Sequence, residues 1–147
     1  MTGLDRRTML EGIGALIGLA ALPAEAFAAS TGKPPRRAPL LDKPTTALVT
    51  ALADTLIPRT DTPGAVQAGV PAKFDSLLRD WASASHRAAH LAALAAIDTA
   101  AKASAGRTFA ALPGSQRTKF LKAYDAEQFA SNPDYARLKD LLVGLYY

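Results

Sequence analysis

Apolar residues recur at spacings of three and four along the chain from residue 45 onward, which is the period of an amphipathic helix. The first stripe predicts a helix over residues 45–57. Asp42 precedes this helix as a capping acid, Pro44 suits its first turn, and Pro58 ends it. Its inward-facing residues are Leu48, Leu52 and Leu56.

The second stripe follows residues 57–71, IPRTDTPGAVQAGVP, a segment rich in proline and glycine. Pro71 suits the first turn of a helix, because a residue there needs no intrahelical N–H bond. The stripe has the i, i+3, i+4, i+7 spacing of an amphipathic helix and predicts that all of its members pack in the core. These are Phe74, Leu77, Leu78 and Trp81.

Three more helices are predicted in the C-terminal half of the chain. An alanine-rich helix covers about residues 86–104 and stops at Gly106. Phe109 and Leu112 are expected to pack beneath the connection that follows. A fourth helix covers residues 116–130 with Ser115 as its cap, and a fifth starts after a second cap and proline, Asn132 and Pro133. The fifth stripe is Tyr135, Leu138, Leu142 and Leu145.

These elements predict an all-α fold, because no segment alternates apolar and polar residues as a strand does. The expected architecture is a small bundle of about five helices over residues 44–147, with a long ordered loop between the first two. Residues 29–43, ASTGKPPRRAPLLDK, are predicted to form an extended, proline-rich and basic tail.

The first 28 residues have the features of an export signal. Arg6 and Arg7 precede an apolar run at residues 12–22, which is too short to cross a membrane. Small residues then allow cleavage after Ala28 or, alternatively, after Ala26. The arginine pair favours a twin-arginine (Tat) signal, with an ordinary secretory signal as the alternative. Whether the signal is cleaved or kept as an anchor stays open.

Composition excludes several kinds of chemistry. The chain contains no cysteine, so it holds no disulfide, no thiolate-bound iron–sulfur cluster and no covalently attached c-type haem. Its net charge is +4, but the basic residues are spread along the chain instead of grouped on one helix face. This pattern favours a solvated surface over nucleic-acid binding.

Candidate catalytic and metal-binding residues are few. His86 and His90 are four apart and could share a helix face, but Asp80 and Asp98 are the only nearby candidates for a third metal ligand. Asp75 and Asp80 could form a carboxylate pair, although basic neighbours suggest solvated helix faces. The chain has no dinucleotide, Walker or nucleophile-elbow motif. We therefore expect no catalytic residue, cofactor or metal in this chain.

Residues 57–71 and the tyrosines at 146 and 147 instead suggest contact with a partner protein. Prolines lower the entropy lost on ordering, so a preset loop binds at lower cost. Arg59 and Asp61 could orient that contact or could brace the adjoining helices. The candidate contact residues are Arg59, Thr60, Asp61, Thr62, Pro63, Gly64, Ala65, Gly69, Val70, Pro71, Tyr146 and Tyr147.

The same loop resembles a known family. ADTLIP at 53–58, TDTPGA at 60–65 and AGVP at 68–71, followed by FD at 74–75, are similar to the gluconate 2-dehydrogenase subunit 3 family. The likeness continues more loosely through Gly106, FAAL at 109–112, QR at 116–117 and residues 138–147. Family members often continue beyond the tyrosine pair, whereas this sequence stops there, so we expect their sugar specificity not to transfer.

The resemblance implies a non-catalytic small subunit in a periplasmic dehydrogenase complex. Its partners would be a flavin-dependent catalytic subunit of the GMC type, which carries FAD and oxidises a sugar or polyol, and a multihaem cytochrome c subunit. The small subunit would carry the Tat address for the folded flavoprotein, as a hitch-hiker arrangement, and would aid its maturation at the periplasmic face of the inner membrane. Two alternatives remain: a metal-dependent periplasmic enzyme using His86 and His90, and a basic module that binds an acidic polymer or a membrane surface.

Overall fold

The computed structural model describes residues 37–147, which form five α-helices and one 3₁₀ helix and contain no strand. The predicted all-α fold is confirmed. The predicted export signal, with Arg6, Arg7 and the cleavage site at Ala28, lies outside the described residues. The helices are α1 (Lys43–Leu56), α2 (Val70–Asp80), α3 (Ala84–Ala105), the 3₁₀ helix (Phe109–Ala111), α4 (Gly114–Gln128) and α5 (Pro133–Gly144).

Helix α1 is the centre of the bundle, because it contacts every other element. Its residues Val49 and Leu52 are almost fully buried, and α3 packs against α5 beside it. The inward residues predicted for the connection, Phe109 and Leu112, are buried as expected. In residues 37–147 no helix combines the length and the apolar character needed to span a membrane.

Side-chain caps set the starts of α1 and α5. The carboxylate of Asp42 accepts a hydrogen bond from Thr45 N at 2.9 Å, and Asn132 Oδ1 accepts one from Tyr135 N at 3.2 Å. Both caps were predicted from a polar residue followed by a proline. Gly106 ends α3 in the left-handed conformation, with φ 67°, as predicted for a glycine stop.

The predicted cap at Ser115 is wrong. Helix α4 begins one residue earlier, at Gly114, and has no side-chain cap. Pro113 holds the capping position, and its carbonyl already accepts the first helical hydrogen bond, from Arg117 N at 2.9 Å. Ser115 therefore lies inside the first turn, where its hydroxyl cannot serve as the N-cap acceptor.

The folded unit covers Ala38–Tyr147 and so includes the end of the predicted tail. Leu41 is buried against the core, and its backbone N–H donates to Asp75 Oδ1 on α2 at 2.7 Å. Arg79 holds the other oxygen of the same carboxylate at 3.0 Å. Asp75 thus ties the entering chain to α2, a structural use for one of the two carboxylates considered above for catalysis.

Candidate partner-binding surface

Trp81 is exposed, which corrects the prediction that it packs in the core. Its side chain is 86% accessible, whereas Phe74 and Leu78 on the same predicted stripe are fully buried. The reason is that α2 ends at Asp80. Trp81 is the residue that closes the helix, so the helical period no longer sets the direction of its side chain.

The turn that presents Trp81 is held by several hydrogen bonds. Trp81 N and Ala82 N both donate to Leu77 O at 3.0 Å. From α3, Arg87 Nε donates to Leu78 O at 2.9 Å, so a cationic side chain satisfies a carbonyl at the C-terminal end of α2. Ser83 accepts from His86 N at 3.3 Å and caps α3. The indole therefore projects from a well-braced helix junction.

Open apolar depressions lie on both sides of Trp81. One is formed mainly by α2 and Leu145, and the other by the α2–α3 junction and α5; Leu77 and Trp81 line both. Because they share these residues, the two depressions form one continuous area. We call it the Trp81 surface and define it by Lys73, Leu77, Trp81, His86, Leu141 and Leu145.

The tyrosine pair directly follows Leu145 of the Trp81 surface in the chain, and Tyr146 contacts the loop. Tyr147 is 94% exposed, and its ring meets that of Tyr146 edge to face at 5.0 Å. The Tyr146 hydroxyl donates to Pro63 O at 2.9 Å. Lys73 Nζ donates to Leu145 O at 3.0 Å. The structure thus brings together Pro63, Tyr146 and Tyr147, three of the predicted contact candidates that are distant in sequence.

The structure divides the other loop candidates into an outer and an inner group. Residues 59–63 are exposed, and the side chains of Arg59 and Asp61 form no ion pair or hydrogen bond among residues 37–147. These two residues therefore do not brace α1 and α2. In contrast, Gly64, Ala65 and Val70 are buried in the core. Gly69 and Pro71 are partly buried at the start of α2.

Gly64 lets the loop fold back onto the end of α1. A β-carbon at this position would lie 2.6 Å from Arg59 N and 2.8 Å from Ile57 O, both backbone atoms. The close approach allows Ala65 N to donate to Ile57 O at 3.0 Å. Gly69 takes a left-handed conformation, φ 76°, just before α2. The inner loop is therefore a device for closing the fold, while its outer part stays accessible.

His86 and His90 lie at the edge of the Trp81 surface. His86 is exposed, whereas His90 is half-buried with its Nδ1 atom enclosed and unpartnered. Burial lowers the pKa of His90, the nearby His86 and Arg137 act in the same direction, and Asp134 opposes them. Within residues 37–147 no three His, Cys, Asp or Glu side chains are grouped so that they could hold a metal ion.

The remaining buried or paired acids have structural partners. Asp80 pairs with Arg79 at 3.1 Å, and Asp98 accepts from Phe109 N at 3.0 Å while pairing with Lys102 at 2.8 Å. On the far side of α4, Lys139 reaches Asp125 Oδ1 at 2.6 Å. The Asp98 contact with Phe109 N and the Asp125 contact with Lys139 join neighbouring elements, and the other pairs lie along one helix.

Sequence reasoning missed the Trp81 surface, although a signal for it was present. Ser83 is a good capping residue, and a helix start there places the end of the preceding helix close to Trp81. At a helix end the apolar stripe is a weaker guide to burial.

The geometry above describes a small helical unit with an accessible aromatic surface. A family model described as Gluconate 2-dehydrogenase subunit 3 matches residues 43–147. A search of curated proteins and a search of solved structures found no match.

Proposed function

The chain belongs to the gluconate 2-dehydrogenase subunit 3 family, and we propose that it is the non-catalytic small subunit of a periplasmic, flavin-dependent sugar or alcohol dehydrogenase. In this proposal it escorts the FAD-bearing catalytic subunit through the Tat translocase and stabilises it during maturation. The oxidation itself takes place on the FAD of the partner. A multihaem cytochrome c subunit receives the electrons at the periplasmic face of the inner membrane.

The observation that carries the proposal is the family match, because it covers the whole helical unit from α1 onward. A family of dehydrogenase subunits implies association with a dehydrogenase complex. The exposed Trp81 and Tyr147 support the same conclusion, since large exposed aromatic residues near apolar depressions are typical of protein–protein interfaces.

The escort role is supported by the amino-terminal sequence. Arg6 and Arg7 precede a short apolar run, and Tat addresses direct proteins that cross the membrane already folded. In this proposal the flavoprotein folds around its FAD before export. We find no cofactor motif in this chain, so a Tat signal on it needs another explanation. The explanation we propose is that the signal serves the folded flavoprotein partner.

The proposal is tested by co-expressing the full chain with a GMC-type flavoprotein that lacks its own signal and is encoded beside it. We expect R6K/R7K to leave both proteins and the FAD-dependent dye reduction in the cytoplasmic fraction, because Tat receptors read the arginine pair. The matched control is R36K/R37K, which makes the same chemical change in the tail and should leave export intact.

Periplasmic, FAD-loaded flavoprotein in cells that lack this chain would refute the escort role. Export of R6K/R7K in cells without a Tat translocase would refute the Tat route and leave the subunit role standing. Binding of the two purified proteins, measured separately, tests the subunit role by itself.

A further inference from the structure

The Trp81 surface is the most prominent unpartnered feature of the described residues. Trp81 and Tyr147 are the most exposed large hydrophobic side chains among them, at 86% and 94%. Trp81 lines both depressions of the surface, and Tyr147 is two residues beyond Leu145 in the chain. The other two exposed large side chains, Leu40 and Phe129, are accessible to 38% and 43%. The exposed indole is therefore the main apolar feature of this surface.

This surface is also preorganised. Arg87 and Ser83 brace the turn below Trp81, and the Lys73 and Tyr146 hydrogen bonds hold the segment after α5 beside it. Fixing the backbone of a binding segment before association lowers the entropy that binding costs. Tryptophan on a rigid support surrounded by apolar depressions has the properties of an interface hot spot.

The charges around the indole indicate which charge a binding partner would carry. Lys73 meets a backbone carbonyl and forms no salt bridge within residues 37–147, so its charge is not neutralised locally. Arg137, at the other end of the surface, is paired with Asp134 at 3.2 Å. The net local charge is thus positive at the Lys73 end. A binding partner that complements it carries an acidic group at that end.

We propose that the Trp81 surface is the docking site for the FAD-bearing subunit, with the indole of Trp81 inserted into an apolar pocket whose rim places a carboxylate against Lys73. The inference rests on the proposed function for the identity of the partner. A second copy of this chain complements Lys73 less well, because a two-fold interface centred on Trp81 sets the Lys73 end of one copy against the Arg137 end of the other. The carboxylate at that end, Asp134, is already paired with Arg137 at 3.2 Å.

The test measures the affinity of the full chain for the purified flavoprotein by calorimetry or biolayer interferometry. We expect W81A to weaken Kd at least about thirtyfold, the usual effect of removing an interface hot spot. The control is F129A, which removes another exposed aromatic residue outside this surface and should stay within about threefold. Circular dichroism checks that both variants fold.

The charge is tested separately with K73Q, since glutamine keeps a hydrogen-bond donor and removes the charge. We expect Kd to weaken about two- to fivefold, mainly through slower association, with a shallower dependence on salt. The control is K119Q on the exposed side of α4, for which both Kd and its salt dependence should be unchanged.

The outcomes separate the inference from the proposed function. If the unaltered chain does not bind the flavoprotein, the subunit proposal fails and this inference fails with it. If the unaltered chain binds and W81A binds equally well, the docking site is wrong and the subunit proposal stands. A dimer of the chain alone that W81A converts to a monomer would assign the surface to self-association and overturn the inference.

Discussion

The loop at residues 57–71 and the helix junction at Trp81 differ in a way that neither sequence suggests. The loop has the prolines and glycines of a binding element, yet Gly64, Ala65 and Val70 belong to the core. Trp81 completes an apolar stripe, yet it is 86% exposed. The residues that look functional are partly structural, and a residue that looks structural lies at the centre of the candidate interface.

The difference shows what each kind of signal reports. A hydrophobic period gives the direction of a side chain only while the helix continues, and α2 stops at Asp80. A cluster of prolines and glycines reports an unusual backbone path and does not say whether that path faces solvent. In this chain the path is needed because the loop folds back onto the end of α1.

The largest expected effect contrasts two aromatic residues of one predicted stripe. F74A should lower the free energy of unfolding by about 3–5 kcal/mol, because it leaves a cavity in the core. W81A should change it by less than about 0.5 kcal/mol, since the side chain makes few contacts. Urea unfolding of the full chain measures both, and equal losses would show that Trp81 is part of the core.

A glycine in the loop should come next in size. G64A should cost about 2–3 kcal/mol in the free energy of unfolding, because its new β-carbon meets backbone atoms of residues 57 and 59 that cannot move independently. The control is G144A at the end of α5, where a β-carbon has no neighbour within 4 Å. This variant should be as stable as the unaltered chain or slightly more stable.

Thermal unfolding of the two glycine variants measures the difference. If G64A and G144A melt at the same temperature, the inner loop does not close the fold. The distinction between a structural inner loop and an accessible outer part, residues 59–63, would then be wrong.

The smallest effect concerns pH and the edge of the Trp81 surface. Burial lowers the pKa of His90 below its ordinary value of 6.5, so the folded chain binds fewer protons than the unfolded chain as the pH falls through this value. The free energy of unfolding therefore decreases from pH 7 to pH 5. H90Q should show a weaker decrease than the unaltered chain.

The matched comparison is H86Q, because His86 is exposed on the same helix. Its charge contributes to the lowered pKa of His90 less than burial does, so H86Q should weaken the pH dependence less than H90Q. Urea unfolding at pH 7, 6 and 5 provides the comparison. If H86Q weakens the pH dependence more than H90Q does, burial of His90 is not its main cause.

Much of the fold followed from local rules. The period of three and four identified all five α-helices of residues 37–147, and the caps at Asp42 and Asn132 and the stop at Gly106 were predicted with their residues. The prediction at Ser115 failed because Pro113 supplied the capping position first. Local signals of this kind are reliable where one residue satisfies a helix end and ambiguous where two neighbours compete.

The candidate interface followed from sequence only in part. Tyr146, Tyr147 and Pro63 were predicted as contacts, but their proximity depends on a hydrogen bond between residues 83 positions apart. Local sequence patterns extend over a few residues and cannot predict a contact this distant in the chain. Leu41 was likewise assigned to a tail. Its backbone N–H donates a hydrogen bond to Asp75, which is 34 residues away and cannot be inferred from the local sequence.

The sequence alone determined the all-α class, the order of the helices and the family, because these depend on periodicity, capping residues and a run of loop residues. The tertiary structure decided which residues are buried or exposed in the loop and at the helix ends. It buried Gly64 and Ala65, exposed Trp81, and brought Tyr146 to Pro63. Burial depends on which elements meet, and long-range contacts such as Lys73 to Leu145 and Tyr146 to Pro63 set that arrangement.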